Sequence, residues 1–71
     1  NLSLYLHINK FKNYQEIQNI INEIKLTEKY TSENMGTFYK LIIGPIENDI
    51  ANKLVSTFIR KGYKENEIIL E

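Results

Sequence analysis

A run of alternating apolar residues followed by a run of helical period occurs twice in this chain, 35 residues apart. That interval lays Leu6, Ile8, Asn9, Phe11, Asn13, Ile20 and Ile24 onto Leu41, Ile43, Gly44, Ile46, Asn48, Val55 and Ile59. Two strand–helix units of equal length, each followed by a further strand, leave few topologies open.

Local chemistry delimits each element. Leu2–Ile8 has period two, with Leu4, Leu6 and Ile8 pointing one way and Tyr5, His7 and Asn9 the other. It reads as a strand with one buried face. Asn13 can accept from the free N–H groups of a first helical turn. Ile17, Ile20, Ile21 and Ile24 recur at helical spacing, and Lys25 suits the negative helix end. A helix is predicted over Tyr14–Lys25. Thr27–Glu33 is polar but strand-leaning through Tyr30 and Thr31, as suits an edge strand. Asn34-Met35-Gly36 reads as a hairpin turn.

Thr37–Ile43 carries the strongest strand pattern, with Tyr39, Leu41 and Ile43 on one face and Phe38, Lys40 and Ile42 on the other. Gly44-Pro45 is expected to stop it, since Pro45 has no N–H and Gly44 permits a sharp turn. A second helix is predicted from Asn48 to Lys61, capped by Glu47, Asn48 and Asp49. Ala51, Leu54, Val55, Phe58 and Ile59 form its apolar stripe, and Gly62 follows as the residue after its end. Glu67–Leu70 is the last strand.

This order predicts an α+β, ferredoxin-like βαββαβ fold: a four-stranded antiparallel sheet with both helices on one face. The other face is then uncovered. Strand parity assigns Tyr5, His7, Phe38, Lys40 and Ile42 to it.

With 71 residues the chain supports one core, hence a single domain over 1–71. It starts without Met and almost directly in a strand pattern. It is therefore expected to be a piece of a longer protein, with any signal peptide or lipid anchor outside it. The formal net charge is zero, which argues against a nucleic-acid partner and against electrostatic membrane contact by this domain. No apolar run nears the ~20 residues that span a bilayer. Without cysteine, neither a disulfide framework nor a cysteine metal site can form.

Catalytic groups are scarce. A serine relay would need Ser3, Ser32 or Ser56 beside the single histidine, His7. Ser3 has the opposite strand parity, Ser32 lies near an edge strand, and Ser56 lies on a helix of the far face. His7 reads instead as an exposed strand histidine. One histidine with scattered carboxylates does not make a zinc site. Glu47/Asp49 and Glu65/Glu67/Glu71 fall at a helix start and around an exposed strand, where they cap or are solvated. Gly44-Pro45 lacks the glycine cluster and Lys-Ser/Thr of a phosphate loop. The domain is expected to be no enzyme and to need no cofactor or metal. Tyr5 and Phe38 stand out instead, as grouped aromatics on an open face. Beside Lys40, His7 and Asn9 they can stack on sugar-like rings while polar groups bond hydroxyls and amides.

Tyr39-Lys40-Leu41-Ile42-Ile43-Gly44-Pro45-Ile46 resembles the Tyr-Arg-Val-x-Val-Gly-Pro-Phe segment of the SPOR (sporulation-related repeat) domain, and Ala51, Leu54 and Gly62 follow at that family's spacing. Tyr5-Leu6-His7-Ile8-Asn9-Lys10-Phe11 is similar to its aromatic-Val-Gln-Val-Gly-Ser-Phe opening. The chain departs from the family at His7 (Gln), Asn9 (Gly), Lys10 (Ser), Lys40 (Arg) and Ile46 (Phe). The resemblance implies a non-catalytic domain that binds peptidoglycan glycan strands lacking stem peptides, in the bacterial envelope. It would target its parent protein, such as an amidase, a lytic transglycosylase or a rare lipoprotein A-like protein, to the division septum or cell wall. It also implies ligand contacts at Tyr5, His7, Asn9, Lys10, Phe38, Lys40 and Ile42. Two other classes share the topology. One is a protein-interaction or regulatory domain working through the sheet. The other is an RNA-binding domain, whose third-strand signature Thr37–Gly44 does not supply.

Overall fold

A computed structural model describes residues 3–71; Asn1 and Leu2, where the first strand was expected to begin, lie outside the described residues. The expected order is borne out: β1 (Leu4–Phe11), α1 (Tyr14–Ile24), β2 (Tyr30–Asn34), β3 (Tyr39–Ile46), α2 (Asn48–Arg60) and β4 (Ile68–Leu70), the last preceded by a single 3-10 turn over Glu65–Glu67. The strands form one antiparallel sheet in the order β2-β3-β1-β4. Leu6, Ile8, Leu41 and Ile43, which share one sheet face, are completely buried with Ile17 of α1 and Ala51 and Phe58 of α2. Both helices therefore cover the same sheet face.

The 35-residue echo governs the pairing of the central strands. Leu4 pairs with Ile46, Leu6 with Ile43, His7 with Ile42, Ile8 with Leu41, and Phe11 with Tyr39. The echo carries Leu4 to Tyr39, Leu6 to Leu41, Ile8 to Ile43, Phe11 to Ile46, and His7 to its own partner Ile42. An approximate two-fold axis thus passes between His7 and Ile42.

The ladder's two irregularities are echoes as well. Each sets two residues against one, as a β-bulge does: Gly44-Pro45 opposite Tyr5, and Asn9-Lys10 opposite Lys40. Gly44-Pro45 was expected to end β3, yet the strand continues to Ile46, because a bulge leaves a position where no ladder donor is required of proline. Bulging likewise carries β1 past Ile8 to Phe11. At its other end β3 begins at Tyr39, so Thr37 and Phe38 belong to the bend before it.

Helix ends follow the local chemistry in part. Asn13 Oδ1 accepts from Glu16 N at 3.0 Å, and Glu16 Oε1 reaches back to Lys12 N at 2.8 Å. The capping expected of Glu47, Asn48 and Asp49 is not realised as a side-chain bond; Glu47 is the N-cap and offers only its carbonyl, to Ala51 N. Both C-termini close with the same paired bonds. Lys25 N and Leu26 N donate to Asn22 O and Ile21 O, while Gly62 N and Tyr63 N donate to Ile59 O and Phe58 O. The left-handed residue is Gly62 in one (φ 100°) and Lys25 in the other (φ 54°). Ile59, expected in the α2 stripe, is exposed, whereas Ala51, Leu54 and Phe58 are buried.

Candidate functional site on the open sheet face

Register turns the open face into rows. The central row runs Thr31–Ile42–His7–Ile69 across all four strands. Here two apolar side chains flank an imidazole. Ile42 is half-buried by its neighbours, while Ile69 on the edge strand is 44% exposed.

His7 is far more covered than the exposed strand histidine expected. Its side chain is only 15% exposed, and Nε2 lies 3.1 Å from Glu71 Oε1. The central position explains the cover, since side chains stand on both flanking strands. Glu71 reaches His7 from the next row, where it exchanges both backbone bonds with Tyr5 at 2.7 and 2.9 Å. The carboxylate acts here as a partner for His7 rather than as a merely solvated charge.

Tyr5 stands in that same row and is 41% exposed. Gly44 makes room for it. A Cβ at residue 44 would sit 2.9 Å from Tyr5 Cδ2 and 2.7 Å from Leu4 O, and its φ of +148° is one that side-chain-bearing residues rarely adopt. The glycine is therefore fixed by the close approach of β1 and by the tyrosine ring laid against it.

On the other side of the central row, Lys40 stands opposite Glu33 of β2. Phe38 was assigned to the face by strand parity. Although it lies in the bend, half-buried, the Lys10 ammonium stands 5.6 Å from its ring centroid, within cation–π range. The Asn9–Lys10 bulge of β1 supplies that ammonium. Asn9 itself is partly buried, and its Oδ1 is covered without a hydrogen-bond partner among the described residues.

Of the residues expected on the face, strand pairing brings Tyr5, His7, Lys40 and Ile42 together on it, whereas Asn9 and Lys10 fall in the unpaired bulge and Phe38 in the bend before β3, where it meets Lys10. Sequence reasoning missed Thr31, Ile69 and Glu71. Ile68-Ile69-Leu70 is an unbroken apolar run with no alternation to reveal its parity. Only the antiparallel match of Ile69 to His7 shows which side chain faces outward.

Among the described residues no helix is long and apolar enough to cross a membrane, and no cluster of three or more His, Asp or Glu could hold a metal ion. No protein-family model, curated protein or solved structure matches the chain.

Proposed function

We propose that this is a SPOR-like, non-catalytic domain whose open sheet face binds peptidoglycan glycan strands lacking stem peptides. In this reading it holds its parent protein, a lytic transglycosylase or amidase, at the division septum or cell wall of a bacterium. The observation that carries the reading is the face no helix covers, where Ile42, His7 and Ile69 stand in one row with Tyr5 in the next. Sugar rings have apolar C–H faces and polar rims. Apolar side chains and aromatic rings suit the former. The His7–Glu71 pair, Asn9, Lys10, Lys40 and Glu33 offer both donors and acceptors to hydroxyl and N-acetyl groups. The sequence resemblance supplies the ligand class, and the neutral chain gives no reason to prefer a polyanion.

Cosedimentation with purified sacculi, untreated and amidase-treated, tests the reading. Binding should be stronger to amidase-treated material and should persist in high salt. Tyr5→Ala and Phe38→Ala should each weaken it by roughly threefold to tenfold, the size of one lost aromatic contact, with far-UV circular dichroism unchanged. Failure to bind either preparation overturns the reading.

A protein-interaction role is the alternative, favoured by the exposure of Ile69 and Leu70 on the edge strand β4. It requires Ile69→Asp to abolish an association with a protein partner while leaving sacculus binding absent in both forms.

A further inference from the structure

Away from the open face, a cleft of about 300 Å³ lies between α1 and the loop that follows α2. Phe11 and Ile20, almost fully buried, form its apolar floor. Tyr63 stands beside them, its ring 5.7 Å from Phe11 and 5.3 Å, edge-on, from Phe58. Both contacts follow from the α2 terminus, where the left-handed Gly62 turns the next residue back onto the helix. Glu16, Asn19 and Glu23 share one α1 face with Ile20 and line the near wall.

The polar lining is balanced. Glu16 and Glu23 face Lys10 and Lys61, and Lys61 is paired with Glu23. An anion entering here would meet two carboxylates, and a cation two ammonium groups. Neutral groups fare better. Asn19 Oδ1 accepts from Gln15 Nε2 at 3.0 Å, which leaves its own N–H groups to donate. The Tyr63 hydroxyl has no hydrogen-bond partner among the described residues. Burial first, then the charges of Glu16, Glu23 and Glu67, raise its pKa above the usual 10.0, so it stays a protonated donor. The volume lies at the small end of ligand pockets, enough for one ring.

We infer that this cleft is a subsite for a single neutral, hydroxyl-rich sugar ring of the N-acetylhexosamine class. The preference for a neutral hydroxylated ring follows from the lining; the N-acetyl group rests on the glycan reading above. Lys10 lines the cleft and also stands over Phe38, so the Lys10–Phe38 pair adjoins the cleft. A glycan with one ring in the cleft can lay the next ring against that pair.

The test is a ¹H–¹⁵N NMR titration of the whole chain with N-acetylglucosamine, tetra-N-acetylchitotetraose, cationic glucosamine and anionic glucuronate. The two neutral sugars should shift the amides of Asn19, Glu23 and Tyr63 saturably and bind more tightly than the two charged ones. Tyr63→Phe keeps the ring and should weaken binding about fivefold, the scale of one hydrogen bond. Lys10→Met should weaken the tetrasaccharide more than the monosaccharide. Unshifted cleft amides, equal binding of the charged sugars, or an unchanged Tyr63→Phe affinity would each overturn the inference. Shifts confined to Thr31, Ile42 and Ile69 would overturn the cleft and leave the open-face reading standing. Shifts confined to the cleft would support the subsite and count against the open face.

Discussion

The two halves of this molecule share a plan and differ where the plan meets the surface. β1–α1 and β3–α2 bury equivalent side chains, Leu6 with Leu41 and Ile8 with Ile43, and each strand carries a bulge at the same place. The bulges are built from different residues. Gly44-Pro45 lets the backbones close up and seats Tyr5 on a glycine. Asn9-Lys10 projects an ammonium that touches Phe38 on one side and the cleft on the other. Core positions tolerate only apolar side chains of suitable volume, so repetition persists there. Bulges re-aim exposed side chains at little expense to the core, so the two halves can diverge there and become a site.

The largest effects should come where the halves agree. Ile8→Ala and Ile43→Ala each remove a fully buried side chain and should destabilise the domain by about 2–5 kcal/mol in urea denaturation. If only one does so, the shared-core comparison breaks. Next come the bulges. Gly44→Ala meets both a positive φ and the Leu4 carbonyl, and should lose about 2–3 kcal/mol, whereas Asn9→Ala should stay within about 1 kcal/mol. Helix starts separate the halves more gently. Asn13→Ala removes a formed cap bond and should lose about 1 kcal/mol, while Glu47→Ala, which removes none, should change stability by less than about 0.5 kcal/mol.

Helix ends sharpen the contrast in the opposite direction. Lys25→Gly should raise stability by about 0.5–1 kcal/mol, because it gives the first half the left-handed residue the second already has. The smallest effect concerns pH. Tyr63 holds its proton more tightly when folded than when unfolded, so the unfolded chain loses that proton first as pH rises. Stability should therefore fall above pH 10.0, through the raised folded pKa, and Tyr63→Phe should flatten that part of the profile measured by urea denaturation.

Much of the fold was legible because its signals are local. Period two in β1 and β3, helical spacing of isoleucines in α1, Asn13 before a helix and Gly62 after one all report the conformation of their own segment. Of the site, Tyr5, His7, Lys40 and Ile42 were legible for the same reason, since parity along one strand decides their face; Asn9 falls in a bulge, where parity breaks. Phe38 was assigned through a strand that does not reach it, and it stands instead in the bend, against Lys10. Ile69 and Glu71 could not be assigned, because an apolar run without alternation has no parity of its own.

By itself, the sequence determined the order of elements, the two core-facing sets of side chains and the existence of an uncovered face. All of these rest on spacings a few residues long. Tertiary structure alone decided that the central pairing is symmetric about His7 and Ile42, that a bulge lies on either side of that pair, that Glu71 reaches His7, and that Tyr63 closes a cleft beside Lys10. Each of these joins groups far apart in the chain. Their meeting depends on which backbone donors and acceptors of distant strands pair, and on how closely packed side chains let those strands approach.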